Sequence, residues 1–238
     1  METAVNQNRV IIGCDIGQKA DPTAIVVIEV QKATREPGGW VLPKGERVCD
    51  GRDIRFAPGK SEIVYVARDL KRLPLGTPYP EVARKIAGLV LALQERKVWK
   101  PRLLVDATGV GLPVVDLLRE ALRGRPCTLV PCTFTHGDKY TRNRTIKGET
   151  ASVGKAHLVS RLQALLQTGR LKLPVLPESE ALARELMDYE IRVDTNANDQ
   201  YGAFKVGTHD DLVTALGLAV LDDPFAEAAR RAAGSCDY

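Results

Sequence analysis

Three aspartates stand where structural elements end or begin. Asp15 follows the apolar run Val10-Ile11-Ile12-Gly13-Cys14, and Asp106 ends Arg102-Leu103-Leu104-Val105 and precedes Ala-Thr-Gly-Val-Gly. Asp211 closes His209-Asp210-Asp211, immediately before the apolar stretch Leu212 to Leu221. A carboxylate at the end of a buried strand is costly to desolvate unless something cationic compensates it. Three converging from such positions suit a divalent metal better than a salt bridge. Without metal the cluster repels itself and raises at least one pKa. Two Mg²⁺ or Mn²⁺ ions about 3.5–4 Å apart would neutralise it and set up an in-line phosphoryl displacement, one activating water and the other stabilising the leaving 3′ oxygen. That chemistry needs no nucleophilic side chain, and the sequence offers no persuasive Ser/His or Cys/His arrangement.

Each aspartate also has a plain structural reading. Asp15 with Gly17 is a strand-to-turn signal, Asp106 suits a turn, and Asp210 or Asp211 suits a helix N-cap. It is their joint placement that favours metal: two neighbouring strand ends and one helix start can bring three carboxylates within a few ångströms.

The elements that must position them follow from periodicity. Residues 9–15 and 23–30 are rich in β-branched residues and are joined by a short loop with Gly17, Asp21 and Pro22, which predicts an antiparallel strand pair. Residues 31–61 hold many Gly, Pro and charged residues, with short strand pieces at Trp40-Val41-Leu42 and at 53–57. Ile63 to Val66 is a further strand. Pro80 opens a helix to about Lys97, with Val82, Ile86, Leu89, Val90 and Leu93 near helical spacing. Residues 102–106 form an apolar strand, 112–123 an amphipathic helix and 128–132 the next strand. A polar, basic loop is expected over 134–148, then helices over 150–168 and from Pro177 to about Arg192. A short hairpin around Tyr201 to Val206 and a last core helix over 210–221 complete the order. Antiparallel strands followed by strand–helix alternation indicate an α/β protein with a mixed sheet flanked by helices. Residues 1–221 read as one domain and 222–238 as a polar C-terminal tail.

At 238 residues, with 44% apolar and 27% charged residues, the chain suits a globular domain with a sizeable core. No run approaches the roughly 20 apolar residues of a membrane span, and the N-terminus lacks the regions of a signal peptide. No membrane association and a cytoplasmic location are therefore expected. The 5 cysteines are scattered, against a disulfide framework. Cys127, Cys132 and His136 lack an evident fourth ligand for zinc, and two cysteines flanking a buried strand is the better account.

A net charge of +4 permits a polyanionic partner. The segment from His136 to Gly148 concentrates Lys139, Arg142, Arg144 and Lys147 against Asp138 alone, with polar and aromatic residues between. Placed near the strand ends it is a phosphate-contacting surface, extended by Lys155 and Arg161 on the following helix. The alternative is a solvated basic loop. Nothing in it suits base-edge recognition. Gly148-Glu-Thr-Ala-Ser-Val-Gly154-Lys155-Ala156 looks like a P-loop, but it has one residue too many between its glycines. Ala156 stands where Ser or Thr would hold Mg²⁺, and no apolar strand is expected before it.

Asp15-x-Gly with Asp21-Pro-Thr-Ala, Asp106-Ala-Thr-Gly-Val-Gly, and His209-Asp210-Asp211-Leu-Val-Thr-Ala-Leu-Gly-Leu-Ala together resemble the nuclease domain of the large terminase subunit of tailed phages, of the ribonuclease H/RuvC-like group. The resemblance runs over nearly the whole chain, in order and spacing. It implies a ribonuclease H-like mixed sheet and a Mg²⁺- or Mn²⁺-dependent endonuclease, with two ions, cutting concatemeric viral DNA during packaging. Carried over by position, Asp15, Asp106 and Asp211 are the catalytic metal ligands, Asp210 and Asp21 supporting carboxylates, and His209 an orienting residue or a helix cap. Many relatives carry another Asp three residues after the helix aspartate, where this chain has Thr214. Implied partners are double-stranded DNA, a packaging ATPase (a separate chain or a further domain), the portal and the small terminase subunit. The Met1 start favours a separately encoded nuclease. Three other readings compete: a RuvC-like resolvase or other ribonuclease H-like nuclease, a non-catalytic DNA-binding or docking module, and an actin/hexokinase-like nucleotide-binding domain, for whose two lobes the chain is short.

Overall fold

The computed structural model describes residues 9–17, 21–49, 59, 61–98, 100–108, 111–146, 148–193, 199–202 and 209–225. Its backbone is a mixed sheet built from β1 (Arg9–Asp15), β2 (Ala24–Glu36), β3 (Gly39–Val41), β4 (Arg47–Cys49), β5 (Ser61–Arg72), β6 (Arg102–Asp106), β7 (Thr128–Thr135), β8 (Tyr140–Thr145), β9 (Gly148–Gly154) and β10 (Leu171–Lys172). The main strand order is β10-β5-β2-β1-β6-β7-β9-β8, with β3 and β4 extending from β2. β1, β2 and β5 pair antiparallel, whereas β1, β6, β7 and β9 run parallel. The helices are α1 (Tyr79–Glu95), α2 (Gly111–Ala121), α3 (Lys155–Gln167), α4 (Pro177–Asp188) and α5 (Asp211–Val220), and β11 (Glu190–Val193) pairs with β12 (Asp199–Gly202) in a separate hairpin. This is the α/β arrangement that the sequence predicts.

Side chains on a strand alternate between its two faces, and β1 divides its residues accordingly. Ile11 packs in a core with α3, α4 and α5, while Val10, Ile12 and Cys14 pack in a second core with α1 and α2. The central strands are therefore covered on both sides, which is why their sequences read as continuous apolar runs. α5 is apolar all round for the same reason: every residue from Asp211 to Val220 is buried.

Three expectations need correction. The helix predicted from Pro177 to about Arg192 ends at Asp188, ahead of the strand β11. The basic stretch predicted as a loop over 134–148 contains the strand β8, and the helix predicted from about 150 begins at Lys155, after β9. Composition hid both strands. Tyr140, Arg142 and Arg144 recur with period two, and their polar ends are taken up by Asp222 and Glu149. A strand built on ion pairs carries no apolar signal. It follows that a strand does lead into Gly154-Lys155, although the P-loop spacing is still absent. Residues 53–57, Lys147, the 203–206 end of the predicted second hairpin and the tail beyond Phe225 lie outside the described residues.

Candidate metal centre

Sheet register places the acids. Asp15 pairs with Ala24, which pairs with Arg72 on β5. On the other side Cys14 pairs with Val105, so Asp15 and Asp106 are the next step along two adjacent parallel strands. Asp106 is itself in register with Cys132. Residues opposite one another on paired strands share a face, here the face that carries α5.

Two glycines let that helix lie close. A Cβ on Gly13 would run into the Ala215 carbonyl oxygen and stand 2.7 Å from the Ala219 nitrogen. A Cβ on Gly217 would meet the Leu158 side chain of α3. α5 is thus pressed between β1 and α3, and its start overhangs the ends of β1 and β6.

The electrostatics record this crowding. Burial pushes the Asp15 carboxyl well above the usual carboxylate range, and the charges of Asp106, Asp210 and Asp211 push it further, with Lys155 opposing. Burial likewise raises Asp106, against hydrogen bonds from Thr108 and the charge of Lys155, while Asp210 adds repulsion. Asp106 Oδ1 accepts the Thr108 N–H at 2.8 Å, and Thr108 Oγ1 accepts the Phe134 N–H at 2.8 Å. The turn after β6 is therefore tied to β7, and Asp106 is held at the sheet end.

The two aspartates at the start of α5 differ. Asp211 is 3% exposed and takes a two-pronged contact from Arg72, Nε to Oδ2 at 2.7 Å and Nη2 to Oδ1 at 3.0 Å. Burial raises its pKa while Arg72 works against the rise. Asp210 occupies the N-cap position but accepts no capping bond through its side chain. Its charge falls on Asp15 and Asp106. Asp21 sits at the rim on the β1–β2 loop, with Oδ1 3.5 Å from His209 Nδ1. The Gly17 N–H donates to Thr23 Oγ1 at 3.0 Å and closes that loop. Thr214 is buried within α5.

The basic residues separate into two groups. Lys155 opens α3 within electrostatic reach of Asp15 and Asp106, with its ammonium 5.6 Å from the centre of the Phe134 ring. The Lys139 carbonyl accepts the Gly154 N–H at 2.7 Å, so the exposed β7–β8 turn lies beside the start of α3. Arg142 and Arg144 are drawn instead toward Glu149 and Asp222. That is the other end of α5, roughly 15 Å away at 1.5 Å rise per residue. Arg161 donates to Tyr65 Oη at 2.7 Å and to the Val220 carbonyl, also at that far end. Lys147 lies outside the described residues.

Sequence reasoning missed Arg72 and Glu185. Arg72 has no signal, since it ends a strand whose last residues alternate in no clear way. Glu185 had one: it falls three residues after Leu182 on the buried face of α4, where an acid needs a partner. Cys127, just before β7, and Cys132, within it, are free thiols, and burial pushes Cys127 up to about 12, as suits inert packing residues.

The donor set suits a hard divalent cation: several carboxylates, Asp211 buried and Asp15, Asp106 and Asp210 half-buried, under-neutralised, with no soft ligand among them. As the side chains stand, no three His, Cys, Asp or Glu groups among the described residues enclose an ion position.

A mixed sheet with acids on two adjacent strand ends and an acidic helix start laid over them has the ribonuclease H-like form. Among solved structures, the chain shares its fold with large-terminase nucleases. That of the thermophilic phage G20c with bound magnesium matches at a TM-score of 0.55 and 18% identity, over 90% of this chain and 80% of that one. The nuclease domain of the large terminase subunit of bacterial virus Sf6, with manganese and beta-thujaplicinol, matches at 0.56 and 14% identity, over 92% and 90%. The human cytomegalovirus terminase nuclease domain, soaked with manganese, matches at 0.50 and 12% identity, over 93% and 87%. No protein-family model and no curated protein matches the chain.

Proposed function

We propose that the chain is a metal-dependent endonuclease that cuts concatemeric double-stranded DNA during viral genome packaging, in the cytoplasm of the host. The observation that carries this reading is the set of under-neutralised carboxylates, half-buried to buried, where β1, β6 and the start of α5 meet. Structures of the same fold are terminase nucleases, some of them with magnesium, cobalt or manganese bound.

Asp15 and Asp106, with one or both of the aspartates that open α5, Asp210 and Asp211, would hold Mg²⁺ or Mn²⁺, with Asp21 and His209 in support at the rim. When bound, two such ions polarise the scissile phosphate and favour both the attacking and the leaving oxygen. The protein's own part is to fix the acids on a rigid sheet edge, through the Thr108 bonds and the close seating of α5. Lys139 and Lys155, on the same rim, would contact backbone phosphates without reading sequence. A packaging ATPase, the portal and the small terminase subunit are the expected partners.

The test is cleavage by the purified chain of linear duplex, supercoiled plasmid and a four-way junction with Mn²⁺. The expected result is cutting of duplex and plasmid that stops with EDTA and in Asp106→Asn. Absence of Mn²⁺-dependent cutting, or a marked preference for the junction, overturns the proposal.

A further inference from the structure

Helix α5 lacks the cap its sequence promises. Asp210 stands at the N-cap, where an aspartate ordinarily accepts a backbone N–H of the first turn, yet its side chain makes no such bond. The Val213 N–H of that turn is taken instead by Glu185 Oε2 of α4, at 3.0 Å and out of solvent. Glu185 is 5% exposed, and its other oxygen forms an ion pair with Arg72 Nη2. Arg72 in turn holds both oxygens of Asp211. Strand β5, helix α4 and helix α5 are thus joined through one guanidinium at the edge of the acidic cluster. Only Ala24 separates Arg72 from Asp15 in the sheet register.

We propose that Arg72, braced by Glu185, is a positioning residue that commits Asp211 to anchoring α5 and leaves Asp210 as the carboxylate that joins Asp15 and Asp106 in holding the ion. The proposal rests on the metal-centre reading and deepens it by dividing labour between two adjacent aspartates. An anchored Asp211 has both oxygens engaged in a bidentate pair, the strongest form of carboxylate contact. Asp210, relieved of capping by Glu185, keeps its oxygens for the cluster. A lysine in place of Arg72 would keep the charge and lose the fork.

The experiment is Mn²⁺ titration, by calorimetry and by the Mn²⁺ electron paramagnetic resonance signal, of the metal-free chain and its variants, with thermal unfolding alongside. Charge alone predicts that Arg72→Gln tightens Mn²⁺, because a cation beside the site is removed. Positioning predicts the opposite, a loss on the order of tenfold, and a similar loss in Arg72→Lys although its charge is kept. Asp210→Asn should weaken Mn²⁺ by at least about tenfold with the melting temperature kept. Asp211→Asn should lower the melting temperature, and the losses in Arg72→Gln and Asp211→Asn should be strongly non-additive in the double variant. Tighter Mn²⁺ binding in Arg72→Gln overturns the proposal, as does Asp211→Asn that abolishes binding at an unchanged melting temperature. If the wild type binds no Mn²⁺ at all, the metal-centre reading itself falls, and the inference with it, an outcome distinct from either of those.

Discussion

The two ends of α5 bury carboxylates in opposite ways. At its C-terminal end Asp222 is 1% exposed and accepts Arg102 Nε and Tyr140 Oη, each at 2.7 Å. Beside it Glu149 accepts Arg102 Nη2 at 2.7 Å and Arg144 Nε at 3.1 Å. Burial would raise Glu149, but the bonds and charges of Arg102 and Arg144 outweigh it and hold the carboxyl below its usual range. At the N-terminal end Asp15 and Asp106 are raised, and Lys155 is the cation that opposes the rise in both. Burial is common to the two ends; matching is not. A buried acid with its arginines in place is a structural tie, whereas a buried acid short of positive charge is a site waiting for a cation.

The sharpest way to break that contrast is by substitution at each end. Asp15→Asn or Asp106→Asn should reduce Mn²⁺-dependent DNA cutting by roughly 10³-fold or more, while the melting temperature of the metal-free protein holds or rises, because repulsion is relieved. Cutting at the wild-type rate would remove that residue from the site. Asp222→Ala should do the reverse. It leaves Arg102 and Tyr140 without their acceptor and should cost about 3–5 kcal/mol in denaturant unfolding, with Mn²⁺ affinity kept. A cost below about 1 kcal/mol would put this end among weak surface pairs.

Acidity should separate the ends by sign. The raised pKa of Asp15 gives a stability contribution that is full below the ordinary carboxylate range and is lost as pH rises through the raised value. The lowered pKa of Glu149 gives one that is present above that range and lost as pH falls through the lowered value. In melting curves of the metal-free protein against pH, Asp15→Asn should flatten the decline on the higher-pH side and Glu149→Gln the acid limb. Both variants flattening the same limb would erase the distinction.

The smallest expected effect concerns DNA. Lys155→Ala should weaken duplex binding severalfold and reduce the slope of log affinity against log salt by about one, as for one lost phosphate contact. Arg144→Ala, whose guanidinium is engaged by Glu149, should change affinity by less than about twofold. Fluorescence anisotropy with Ca²⁺ in place of Mn²⁺ measures both, and equal losses would place the DNA along β8 as well.

The sequence made the apolar frame legible. β1, β6 and α5 announce themselves by apolar runs that end or begin in aspartate, and those runs exist because both faces of the central sheet are covered. The acids at the strand ends were legible for the same reason. What stayed hidden depends on charge meeting charge across long separations. β8 looked like a loop because Arg142 and Arg144 find Glu149 and Asp222 only in the fold. Asp210 and Asp211 are indistinguishable side by side in a sequence; Arg72 and Glu185, from β5 and α4, tell them apart.

Calorimetric titration of Mn²⁺ into the metal-free chain tests the central claim most directly, with Asp106→Asn and Glu149→Gln as the two comparisons. Saturable binding in the wild type is predicted, at least about tenfold weaker in Asp106→Asn and unchanged in Glu149→Gln. An absence of saturable binding, or equal binding by the wild type and Asp106→Asn, would contradict it.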